Sequence, residues 1–71
     1  MTEQQINQVK TQAAKDAIHC DNLTGSPDLK RVRQWLTVLA RQVRADRDEV
    51  WSVYEPALKQ ELAKFDLTIE G

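Results

Sequence analysis

The sequence predicts an all-α protein, a small three-helix antiparallel bundle. Apolar residues recur at helical spacing in three separate stretches, and each stretch opens on a capping signal. Strand-like alternation is confined to the last residues, "FDLTIEG", and no internal repeat or low-complexity tract interrupts the chain.

The first helix is expected over about residues 3–20. Thr2 stands three residues before Gln5, the spacing at which a hydroxyl caps an amide and the amide side chain reaches back. Ile6, Val9, Ala13, Ala17 and Cys20 then fall on one face. That face is narrow and alanine-rich, so the helix must lean on tertiary packing, from within the chain or from a partner.

A second helix is expected over about 27–45. Ser26-Pro27-Asp28 reads as a capping serine, a proline at the first helical position and an acid near the positive end of the dipole. Leu29, Val32, Leu36, Leu39, Ala40 and Val43 share its apolar face. Asp46 and Glu49 repeat the capping pattern and open a third helix, over about 47–65, with Val50, Tyr54, Ala57, Leu58 and Phe65 inward. Pro56 removes a hydrogen bond there and predicts a kink or break near Tyr54-Glu55. Between the helices lie a loop at "DNLTGS" and a tight turn at Ala45-Asp46. Short connections make successive helices antiparallel neighbours.

Seventy-one residues make a single domain, 1–71, with residues 66–71 as a tail. A chain of this size buries only about 60% of its unfolded surface, so a second subunit would add useful packing. Cys20 is the only cysteine, which excludes an internal disulfide and suits a reducing compartment. No apolar run approaches the ~20 residues of a membrane span, and "MTEQQINQ" does not read as a signal peptide. A soluble, cytoplasmic protein is expected.

The net charge of −1 hides a segregation. Residues 27–47 carry six cationic side chains against two acidic ones, whereas residues 48–71 carry six acidic against two cationic. Either the segments neutralise each other in the fold or each faces a different partner.

His19, Cys20 and Asp21 invite a reading as a metal or reactive cluster. At 100° per residue, Cys20 falls on the buried face and His19 turns away toward solvent. One cysteine and one histidine cannot complete a zinc site, and a buried thiol behaves as a small hydrophobe. The trio reads as a helix end, where His19 suits the C-terminal dipole. With only Gly25 and Gly71, the chain also has no glycine-rich phosphate loop. No catalytic, metal or cofactor residue is assigned.

Two faces of the second helix remain. Lys30, Arg33, Arg41 and Arg44, with Gln34 and Thr37 among them, lie within roughly a quarter-turn and would follow a phosphate backbone. Their alternative is pairing with Asp48, Glu49, Glu55 and Glu61 of the third helix; Glu61 in particular is expected to meet an arginine. Trp35 lies about 85° from the middle of the apolar stripe, near Arg31, Val38 and Gln42. Tryptophan and arginine are enriched at protein interfaces, and Trp51 sits on a comparable flank.

The sequence therefore points to a non-enzymatic regulatory or accessory protein that docks on a larger protein or on a second copy of itself. Arg31, Trp35, Val38 and Gln42, with Arg41 and Arg44 beside them, are the expected interface. Against the alternative of nucleic-acid binding through Lys30, Arg33, Arg41 and Arg44 stands the low isoelectric point of about 5.7.

Overall fold

The computed structural model describes residues 1–71 and is all-helical. It contains α1 (Glu3–His19), a π-helical turn (Cys20–Thr24), α2 (Leu29–Val43) and α3 (Arg47–Ala63). No helix is long and apolar enough to cross a membrane.

α1 starts as its sequence dictates. Thr2 Oγ1 accepts from the Gln5 amide at 3.2 Å, and Gln5 Oε1 accepts from the Thr2 amide at 2.7 Å. Gln5 also reaches across the bundle. Its Nε2 donates to the Val43 carbonyl at 2.7 Å, satisfying a group at the end of α2 that has no helical partner. The Met1 ammonium pairs with Glu49 in the first turn of α3. The start of α1 thus meets the end of α2 and the start of α3, an up–down–up bundle. α1 packs far more closely on α3 than on α2.

At its other end α1 does not stop at Cys20. The backbone widens into one π turn through Asp21, Asn22 and Leu23, the stretch expected to be loop. Gly25 closes it by donating to the Cys20 carbonyl at 2.7 Å. Its φ of 75° and ψ of −156° lie in a region essentially reserved for glycine.

α2 begins later than expected. Its cap is Asp28, whose Oδ1 accepts from the Arg31 amide at 2.7 Å, not Ser26. Ser26 and Pro27 are engaged by the tail instead. Thr68 N donates to Ser26 Oγ, Glu70 N to the Pro27 carbonyl and Leu29 N to the Glu70 carbonyl, so Asp28 and Glu70 form a short parallel bridge. The alternating tail is an extended strap, with Leu67 and Ile69 half-buried against the core.

α2 ends at Arg44, whose φ of 58° and ψ of 47° are left-handed. The Ala45 amide returns to the Ala40 carbonyl at 3.1 Å, completing the closure usually made with glycine at the Arg44 position. Asp46 then caps α3 by accepting from the Asp48 and Glu49 amides at 3.0 and 3.4 Å. Of the kink or break expected at Pro56, the break does not occur: α3 runs from Arg47 to Ala63 as one helix. Pro56 lies on the exposed face, where the carbonyl it deprives of a partner can bind water.

The core joins all three helices. Val9, Ala13 and Ala17 come from α1, and Val32, Leu36, Leu39, Ala40 and Val43 from α2. α3 supplies Val50, Tyr54, Leu58 and Leu62, and Cys20 fills the end of the π turn. Leu62 continues the inward face of α3 that Val50, Tyr54 and Leu58 begin. Ile6, Leu29, Ala57 and Phe65, expected inward, are half-buried at its edge.

Candidate functional site

The His19–Cys20–Asp21 stretch is divided by the fold. Cys20 is fully buried, and burial pushes its thiol above the ordinary range, with the Asp16 charge adding to the shift. Thr24 hydrogen bonding and the Arg31 charge act the other way and are outweighed. His19 is exposed, yet its ring stands edge-on to Trp35 with centroids 6.4 Å apart and planes at 85°. A thiol kept neutral and covered is a packing group. No group of three or more histidine, cysteine, aspartate or glutamate side chains is placed to hold a metal ion.

Asp16 accepts two side-chain hydrogen bonds at the edge of the bundle. Its Oδ1 accepts from Gln12 Nε2 at 2.9 Å, and its Oδ2 accepts from the Tyr54 hydroxyl at 2.5 Å. Burial raises the Tyr54 pKa far above the ordinary phenol range, and the bond to Asp16 raises it further. This hydrogen bond is a cross-brace between α1 and α3.

The two charge-bearing faces of α2 come out differently. The expected pairing of its arginines with α3 does not form. The ion pairs of the structure are Met1 with Glu49, Lys59 with Glu55 and Lys64 with Glu61. Glu61, expected to meet an arginine of α2, instead takes Lys64 of its own helix at 2.6 Å and borders a groove between α1 and α3 with Ile6 and Lys10. The reason is rotational: Glu61 projects from the side of α3 that faces α1. Lys30, Arg31, Arg33, Arg41, Arg44 and Arg47 are all exposed and make no ion pair.

The structure also separates residues that the sequence grouped together. Trp35, Val38 and Gln42 border a small cleft of about 150 Å³ with Gln12 and Asp16 of α1. Trp35 is half-buried there, while Val38 is 54% exposed. Arg41 and Arg44 lie on the other edge of α2, where they line a concavity of about 540 Å³ with Thr37, Asp46 and Arg47. Arg47 was not among the expected site residues. The signal for it was present: it follows Arg44 by three residues across a turn too tight to carry it elsewhere. Lys30 and Arg33 extend this edge toward the start of α2.

A larger open groove of about 790 Å³ runs between α1 and α2. Gln4, Asn7, Gln8 and Thr11 line it from α1, so its wall is uncharged amide and hydroxyl over most of its length. It holds no pair of titratable groups set for acid–base work. Comparison of the chain with protein-family models, with curated proteins and with solved structures finds no match.

Proposed function

We propose that this is a non-enzymatic docking protein that works by binding a larger protein through the exposed face of α2. The observation that carries the reading is the flank made by Arg31, Trp35, Val38 and Gln42. An indole only partly covered by the core lies beside an exposed valine and an arginine that no acid of the chain neutralises. An aromatic anchor, a neighbouring apolar group and an arginine are the residue types that dominate binding energy at protein interfaces. The partner surface that fits offers an apolar recess for Trp35 and Val38 and an acidic rim for Arg31. A second copy of the chain is the alternative occupant of the same flank.

The test compares the protein with the double variant Arg31→Ala/Val38→Asn. Both side chains are exposed and unpaired, so the variant retains the fold. Affinity capture from the native host's lysate, after nuclease treatment, should recover discrete protein bands with the original chain and lose them with the variant. Sedimentation of the purified chain at increasing concentration distinguishes self-association. Bands that persist unchanged in the variant would remove this flank as the docking site.

A further inference from the structure

We infer that the opposite edge of α2 is a second, separate site, one that binds the sugar–phosphate backbone of a nucleic acid through Arg41, Arg44 and Arg47, with Arg33 and Lys30 extending the track. This goes beyond the docking reading and stands independently of it. The protein as a whole is slightly acidic, at −1, which argues against nucleic acid only if its charges mix. They do not mix. The cations of residues 30–47 make no ion pair, and the single ion pair that reaches between helical segments joins the Met1 ammonium to Glu49.

The local geometry favours phosphate. Arg41, Arg44 and Arg47 approach one concavity from the last turn of α2, the connecting turn and the first turn of α3. Thr37 also lines the concavity, with its hydroxyl donating to the Arg33 carbonyl at 3.1 Å. The one acid in the concavity, Asp46, has a carboxylate oxygen occupied by the Asp48 and Glu49 amides. Guanidinium groups match the oxygens of phosphate in pairs, which suits arginine better than lysine to this use.

Two features favour a polymer over a single free anion, and nucleic acid over an acidic protein. From Lys30 to Arg44 the cationic edge extends roughly 21 Å at 1.5 Å per residue, long enough for several successive phosphates. The central stretch between Arg33 and Arg41 presents the exposed Gln34, a residue type that donates to phosphate oxygens. The edge contains no exposed large apolar residue; Val38 belongs to the other flank. A protein interface needs an apolar centre, whereas a backbone contact does not.

The experiment is fluorescence anisotropy of the full chain with a labelled DNA duplex and a labelled single strand, from 50 to 200 mM salt. With five contacts, log affinity for duplex should fall against log salt with a slope of about −4.5, on the order of five-hundredfold over that range. The slope on single strand should be about −3.5. Arg41→Glu/Arg44→Glu should abolish binding, and Arg41→Gln/Arg47→Gln should weaken it at least tenfold and shallow the duplex slope by about 1.8. Far-ultraviolet circular dichroism verifies the fold of each, and the glutamine pair decides the matter if the reversed pair fails to fold. Arg31→Ala/Val38→Asn, which alters only the docking flank, should bind within about twofold of the original chain. Binding to neither probe at 50 mM salt would overturn the proposal. So would binding that the glutamine pair leaves unchanged, or that an equal concentration of inorganic pyrophosphate fully displaces.

Discussion

The Tyr54 hydroxyl donates to Asp16 Oδ2 at 2.5 Å, joining the middle of α3 to the last turns of α1. Tyr54 is fully buried and is the only tyrosine of the chain, while Asp16 keeps part of its surface in water and takes a second bond from Gln12. The bond therefore braces the most extensive helix interface of the bundle from its wet edge. Tyr54→Phe removes the donor and keeps the ring. Since Asp16 retains Gln12 and access to solvent, the loss should lie at the low end for a bond to a charged group, about 1.5 kcal/mol. Urea unfolding of the two proteins measures it.

The same brace makes stability fall in alkali. Tyr54 and Cys20 both keep their protons in the fold beyond the pH at which the unfolded chain releases them, ordinarily 10.0 and 9.0. Raised folded values of acidic groups contribute stability that is full below the unfolded pKa and lost as pH rises beyond it. The melting temperature should hold level with respect to these groups up to about pH 9 and drop above it. In Tyr54→Phe the drop should be shallower, leaving the thiol's share. Absorbance at 295 nm reports Tyr54 alone, and should rise only together with unfolding. A reversible titration near pH 10 in folded protein would contradict the burial of this phenol.

Cys20 offers an independent measure of how tightly the π turn closes. Its thiol is fully buried and its thiolate is disfavoured, so a small aromatic disulfide reagent at pH 8 should react at a rate set by opening of the structure. The rate should rise by orders of magnitude in denaturant. Gly25→Ala should accelerate it as well. Nothing lies within 4 Å of a Cβ built at Gly25, so the substitution is strained through its backbone and not through crowding.

Capping distinguishes two neighbours that look alike in sequence. Asp28→Ala removes the oxygen that accepts from the Arg31 amide and should cost about 1 kcal/mol. Ser26→Ala removes only an acceptor for Thr68 N, at 3.1 Å on the surface, and should cost less than half as much. Thermal melts of both variants check the order. Equal or reversed losses would restore Ser26 as the cap.

Those two residues also show where the sequence was legible and where it was not. Local signals whose partners lie within four residues were readable: the Thr2–Gln5 box, the Asp46 cap and the apolar stripes all stand where the spacing places them. The misread positions are those whose partners lie far along the chain. Ser26 and Pro27 resemble a helix start, but Thr68 and Glu70 bind them first. Glu61 resembles a partner for α2 until the packing of α3 on α1 turns it away. Pro56 allowed a kink or a break, and the helix runs on through it, with Tyr54 and Leu58 in the core on either side. For the site, the basic stripe and the tryptophan flank were both readable from the 100° wheel. The assignment of Arg41 and Arg44 away from the tryptophan flank was not, because it depends on α1 meeting one edge while the turn into α3 shapes the other.

Arg44 sets stability against binding within one residue. It occupies a left-handed conformation that a residue with a Cβ adopts at a cost of roughly 1–2 kcal/mol, at the helix end where glycine is most favoured. Glycine's greater freedom in the unfolded chain returns part of that gain. Arg44→Gly should therefore stabilise the fold by about 0.5–1 kcal/mol, raising the melting temperature by a few degrees for a domain of this size. The same substitution removes one of the guanidinium groups of the concavity, so affinity for nucleic acid should fall and the duplex salt slope shallow by about 0.9. Arg44→Ala keeps the strain and loses the guanidinium, and so should weaken binding to the same extent without the rise in melting temperature. A residue that holds its position only to close a helix would show the stability change alone. Loss of binding in both variants, with stabilisation confined to the glycine, would mark Arg44 as retained for its charge at the expense of the turn.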